Sequence, residues 1–148
     1  MKAVIQRVKH AKVDVDGETV GEIGQGFLIL LGVGCLDTEQ VAEKLWAKIS
    51  KLRIFSDLDG KSNLSLKDVQ GEALIVSQFT LYANCQKGNR PSFTSAGDPE
   101  KADRLYRYFV SLARQDAAQV ATGVFGAMMD ITSINAGPYT IILDSDEL

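Results

Sequence analysis

Apolar and polar residues alternate from the start of the chain with a period of two, the signature of a half-buried strand. From Met1 to Val15 the apolar positions fall on Val4 and Val8 before His10, and on Ala11, Val13 and Val15 after it. The face switches, and a one-residue slip in such a pattern predicts a bulge or bend near Lys9 and His10. Asp16-Gly17 reads as a hairpin turn, because both residues tolerate positive φ, and Thr19 to Ile23 as the returning strand. Phe27 to Val33 is apolar on both faces, which predicts a central, fully covered strand.

The period then lengthens. Val41, Leu45, Ile49 and Leu52 recur at helical spacing, predicting a helix from about Thr38 to Leu52, with Asp37 and Gln40 resembling a capping box. Asp57, Asp59 and Gly60 form a turn, and Glu72 to Gln78 holds the β-branched run Ala73-Leu74-Ile75-Val76, a buried strand ending in polar residues. Ala83 to Gly97, rich in Gly, Asn, Ser and Pro, is a long loop of the kind that often carries function. A second helix follows, with Asp98 as cap, Pro99 in the first turn, and Ala102, Leu105, Phe109 and Leu112 as its buried stripe. From Gln119 the chain returns to strands, broken by Gly123 and Gly126. Met128 to Ile134 and Tyr139 to Leu143 flank Asn135-Ala136-Gly137-Pro138. Strands outnumber helices and several are joined by hairpin-length connections. The expected class is therefore α+β, with two mainly antiparallel sheets stacked and two helices packed on one face, in a single domain spanning 1–148.

Composition narrows the possible partners. With 45% hydrophobic and 24% charged residues the chain is an ordinary globular one, and its 148 residues need no disulfide or metal to hold a core. No apolar run is long enough to span a bilayer, and the N-terminus lacks the features of a secretory signal, so a cytoplasmic location is expected. Cys35 and Cys85 read as free thiols. A formal net charge of −3 excludes a general basic field for nucleic acid. Between Lys87 and Arg114, however, six basic residues face three acidic ones. That segment is either a solvated helix face with ion pairs or a local phosphate contact.

The inventory of reactive side chains is thin. His10 is the only histidine, so a triad or a histidine-rich metal site would have to be built around it, and its place between Lys9 and Lys12 at the strand irregularity favours a structural or solvent role; Cys85 has no evident base. No phosphate-binding loop is present, Gly24-Gln25-Gly26 opens a strand rather than a helix, and Gly60 comes too early for a calcium loop. Neither metal nor cofactor is expected. Two polar sites stand at abrupt ends of apolar strands. In Ser77-Gln78-Phe79-Thr80-Leu81-Tyr82 the hydroxyls and amide either line a pocket floor or merely bond the departing backbone. In Asn135-Ala136-Gly137-Pro138-Tyr139-Thr140 the proline has no donor N–H, so the segment protrudes or turns.

Taken together, Ser77-Gln78-Phe79-Thr80 and Asn135-Ala136-Gly137-Pro138-Tyr139-Thr140 resemble the paired signatures Ser-Gln-x-x-Thr and Asn-x-Gly-Pro-x-Thr of the D-aminoacyl-tRNA deacylase family. The likeness extends to the opening Met1 to Val8 and to the Gly88-Asn89-Arg90-Pro91-Ser92-Phe93 loop. It implies a three-layer sheet, sheet and helix architecture, and a homodimer with two active sites at its interface. It also implies a cis Gly137-Pro138 peptide reaching into the partner's pocket. The implied substrate is an amino acid esterified to the terminal adenosine of tRNA, with L side chains rejected sterically and D-amino acids and glycine admitted. Ser77, Gln78 and Thr80 are the implied catalytic group, with Phe79, Asn135, Gly137, Pro138 and Arg7 holding substrate or bracing the loop. In this family the ribose hydroxyl next to the ester assists, and protein side chains do little. A non-catalytic RNA-binding module and an esterase using Thr80 or Ser77 as nucleophile are the competing functions.

Overall fold

Residues 1–148 are all described by a computed structural model. Its organising element is β1 (Lys2–Val15), which pairs on one edge with β2 (Glu18–Ile23) and β3 (Gly26–Gly32) in turn. The other edge pairs over nearly its whole length with β8 (Asp130–Asp144). The expected bulge is present. Val8 lies opposite Asn135 and His10 opposite Ile134, so Lys9 is an extra residue that turns the strand's buried face over. Before the bulge Ala3 and Ile5 face the helices; beyond it Ala11 and Val13 join Val8 in a second core on the opposite side. Val4, one of the apolar positions of the period-two pattern, is only half-buried, because it shares a strand face with Lys2 and Gln6 while Ala3 and Ile5 take the face toward the core. The hairpin turn at Asp16 and Gly17 takes φ of 52° and 82°.

The main sheet runs β2-β1-β3-β6-β7, with β6 spanning Glu72–Ser77 and β7 Val120–Thr122. The class is α+β as expected, but the sheet is mixed: β3 pairs parallel with β6, and β6 parallel with β7. The two helices explain this. Both α1 (Glu39–Ile49) and α2 (Pro99–Ala113) lie in crossovers, between β3 and β6 and between β6 and β7, and a crossover returns the chain parallel. A separate two-stranded sheet is formed by β4 (Phe55–Ser56) and β5 (Ser62–Leu64), closed by the Asp57 carboxylate, which accepts from the N–H groups of Asp59 and Lys61.

Both helices cover one face. Leu45, Trp46 and Ile49 of α1 and Leu105 and Phe109 of α2 pack onto Phe27, Ile29, Leu31, Ala73 and Ile75. On the other face Leu28, Leu74 and Val76 meet Val8, Val13 and Ile23, so the sheet curls over a second core. The curl brings β2 against β7 so closely that a Cβ at Gly21 would lie 2.5 Å from the Thr122 carbonyl oxygen. The result is the sheet-on-sheet arrangement with helices outside. No helix is long and apolar enough to cross a membrane.

One local expectation changes. Asp37 does not cap α1, whose N-cap is Thr38 with no side-chain bond. It is buried, and its carboxylate accepts from the Met1 amine at 2.6 Å, the Gly34 N–H at 2.6 Å and the Tyr82 hydroxyl at 3.3 Å. Three donors converge there, and an unsatisfied buried donor is costlier than an uncapped helix end. Asp98 does cap α2, accepting from the Lys101 N–H at 3.0 Å.

Candidate functional site

β6 is buried from Ala73 to Val76 and emerges at Ser77. The Gln78 N–H still bonds the Leu31 carbonyl at 2.8 Å, after which Phe79–Tyr82 turn as a short 3-10 helix. Because the rigid sheet fixes where this turn starts, the polar groups are held at the mouth of a cleft of about 630 Å³. Ser77, Gln78, Phe79 and Thr80 all line that cleft, whose apolar walls include Val33, Phe125, Met128 and Met129. The Gln78 amide Nε2 donates to Thr80 Oγ1, so the hydroxyl is tied to a side chain rather than to the departing backbone. The first N–H groups of the turn, those of Phe79 and Thr80, have no acceptor inside it.

The far end of the turn is anchored too. The Tyr82 hydroxyl donates to Asp37, and burial, reinforced by the Asp37 charge, pushes the phenol pKa up. Phe79 remains 55% exposed, and its ring meets Phe93 edge-on at 5.0 Å. The long loop predicted from Ala83 to Gly97 thus lies against the cleft.

The second motif is not a turn between two strands. Gln6 faces Thr140 and Val8 faces Asn135, so Ala136–Tyr139 arch out of a single strand opposite Arg7 alone. The Gly137–Pro138 peptide is cis. Arg7 Nε donates to the Ala136 carbonyl at 2.9 Å, Nη1 donates to the Ile54 carbonyl, and the guanidinium lies 4.7 Å from the Tyr139 ring centroid. Asn135 Oδ1 accepts from the Ser133 hydroxyl at 3.3 Å. Gly137 has φ of +148°, and a Cβ there would sit 2.9 Å from Arg7 Nη2.

Within one chain the eight residues singled out from sequence therefore fall into two groups. Ser77 to Thr80 line the cleft, while Arg7, Asn135, Gly137 and Pro138 build an exposed arch that contributes nothing to its lining. Sequence reasoning missed the cleft's opposite wall, Phe125 to Met129; its signal was two methionines between glycine-broken strands, where flexible side chains fill a binding surface. It also missed the positioning of the 3-10 turn through Asp37 and Tyr82.

Other reactive groups lie elsewhere. His10 makes an exposed pair with Glu22 at 2.7 Å, and Cys35 and Cys85 are both exposed thiols. No three His, Cys, Asp or Glu side chains converge.

Family-model and sequence comparisons point to one family. A family model described as D-Tyr-tRNA(Tyr) deacylase matches residues 4–144. A D-aminoacyl-tRNA deacylase of Dehalococcoides mccartyi is 61% identical over 145 residues, covering 98% of this chain and 95% of the relative. One of Thermotoga petrophila is 54% identical over 148 residues, covering 100% of this chain and 99% of the relative. A solved structure described as the c-Myc DNA unwinding element binding protein superposes with a TM-score of 0.92 at 42% identity, over 97% of this chain and 98% of that one. A probable eukaryotic D-amino acid tRNA deacylase shares the fold, with a TM-score of 0.82 at 16% identity over 96% of this chain and 97% of that one.

Proposed function

The chain belongs to the D-Tyr-tRNA(Tyr) deacylase family and hydrolyses the ester of D-aminoacyl-tRNA, and we propose that it does so as a homodimer in which each Gly137–Pro138 arch closes the partner's cleft. One observation carries this reading: a braced, solvent-exposed arch and an open cleft exist in the same chain without meeting. The β8 edge supports it. β8 pairs only with β1, leaving a long row of backbone groups open, and it exposes Ile134 by 56% and Ile142 by 75%. Such an edge invites a second copy across a two-fold axis.

In this reading the aminoacyl group lies in the cleft with its ester carbonyl at the 3-10 turn. Water attacks the carbonyl carbon, the Phe79 and Thr80 N–H groups donate to the developing oxyanion, and the bond to the ribose 3′ oxygen breaks. The ribose 2′ hydroxyl relays the proton to that oxygen, so the protein supplies position and donors rather than a base. Gln78 holds the Thr80 hydroxyl out of a nucleophile's role. The arch carbonyls occupy the space an L side chain needs. Glycine, with no side chain, enters as well, so glycyl-tRNA is a second substrate. The enzyme acts in the cytoplasm, where aminoacyl-tRNA is made.

Incubation with D-tyrosyl-tRNA and L-tyrosyl-tRNA is expected to release only the D-amino acid. Equal survival of both esters would leave a binding module. Thr80→Ala is expected to lower kcat by no more than about tenfold, whereas removal of a true nucleophile costs roughly 10⁴-fold or more. Replacing the terminal adenosine with its 2′-deoxy form should abolish turnover; retained turnover combined with a dead Thr80→Ala enzyme would establish the nucleophilic esterase instead.

A further inference from the structure

The cleft at Ser77–Thr80 continues into a second depression. Pro99 and Ala102 of α2 line the first, and Tyr106, Arg107, Val110 and Arg114 of the same helix line the second, which holds about 480 Å³. The opposite wall is also continuous: residues 122–125 border the second depression, 125–129 the first, and Phe125 belongs to both. From Ala102 to Arg114 this makes one groove about 18 Å long at the helical rise per residue.

The groove changes character along its length. Near the reacting end its walls are apolar, with methionines and Phe125. At the far end stand two guanidinium groups, and no carboxylate lines that part. Arg107 is exposed and gives only its Nε to Asp103, at 2.8 Å, leaving the outer donors free. Arg114 is exposed and takes part in no ion pair. The same depression carries the Tyr106 and Phe125 rings, 5.9 Å apart, and the Tyr106 hydroxyl, fixed to the Ile75 carbonyl at 2.7 Å, holds the buried Tyr106 ring in place. Free guanidinium groups lining one depression with an accessible aromatic ring are what a single-stranded polyanion with stackable bases requires.

We propose that this groove carries the single-stranded 3′ tail of the substrate RNA, with its phosphates on Arg107 and Arg114 and a base against Phe125. The inference rests on the reading of the Ser77–Thr80 cleft as the ester site. With the ester held there, the polyanionic tail must leave the cleft, and the groove along α2 is an exit lined by cations. In a chain of net charge −3 such a local track is how RNA is held without a general basic field.

The test compares wild type with the double variant Arg107→Gln/Arg114→Gln on two substrates, D-tyrosyl-tRNA and D-tyrosine esterified to adenosine alone, across a salt series. On the tRNA ester the variant's KM is expected to rise at least tenfold with kcat little changed. Loss of two phosphate contacts to a single strand should also make the slope of log affinity against log salt shallower by about 1.4. The adenosine ester, which offers no phosphates, should be hydrolysed at the wild-type rate. An unchanged salt slope, or an equal loss on both substrates, would overturn the groove while leaving the ester site standing. Wild-type inactivity on both esters would overturn the ester site and the groove with it. Affinity for uncharged tRNA should drop when its CCA end is removed; indifference to that truncation would place the arginines on the duplex and refute the assignment.

Discussion

Gly137→Ala is expected to lower kcat/KM on D-tyrosyl-tRNA by about 100-fold or more, the penalty typical of a reacting group displaced by an ångström. The reason is local. The new methyl would lie 2.9 Å from Arg7 Nη2 and 3.0 Å from the Tyr139 nitrogen, at a φ of +148° that L residues rarely adopt. Either Arg7 withdraws from the Ala136 carbonyl or the arch moves, and both loosen the wall proposed to sort chirality. Because the arch is exposed, the cost in stability should be only ~1–3 kcal/mol. Steady-state kinetics together with thermal unfolding check this, and a variant with intact kinetics would show that the arch does not face the substrate.

The second large effect is expected from Ile134→Asp/Ile142→Asp. Both side chains are exposed on β8, the strand with an unpaired edge, so the substitutions should leave the fold intact while burying like charges in any pairing between copies. Sedimentation is expected to show a dimer for the parent and a monomer for the variant, and turnover at matched concentration should fall by at least about 100-fold. A fully active monomer would mean that one chain is sufficient.

Much of this architecture was legible in the chain because its determinants are local. The bulge at Lys9 follows from a slip in a period-two pattern, the hairpin from Asp16-Gly17, and the start of α2 from Asp98-Pro99. What was not legible depends on partners distant in sequence. The parallel pairing of β6 with β3 and β7 follows from two helices serving as crossovers, whereas hairpin-length spacing elsewhere favoured an antiparallel reading. Asp37 looked like a cap until the Met1 amine, Gly34 and Tyr82 were brought to it. The arch hid for the same reason: Asn135–Thr140 reads as a loop between strands, and only the register with Gln6 and Val8 shows one strand with a four-residue excursion. In the site, Ser77 to Thr80 could be found because they end a buried apolar run, but Phe125 and Met128 carry no motif and are defined by the space they enclose.

The central claim is that the arch of one chain completes the cleft of another, and subunit mixing tests it most directly. Gly137→Ala spoils the arch and leaves the cleft; Ala127→Trp, whose indole fills the cleft that Ala127 lines, spoils the cleft and leaves the arch. Each is expected to be poorly active alone. After co-refolding in equal amounts, mixed dimers should hold one cleft and one arch that are both sound, and activity on D-tyrosyl-tRNA should recover to about a quarter of wild type, half the dimers being mixed with one working site each. If the mixture stays as inactive as its parents, no arch serves a partner's cleft.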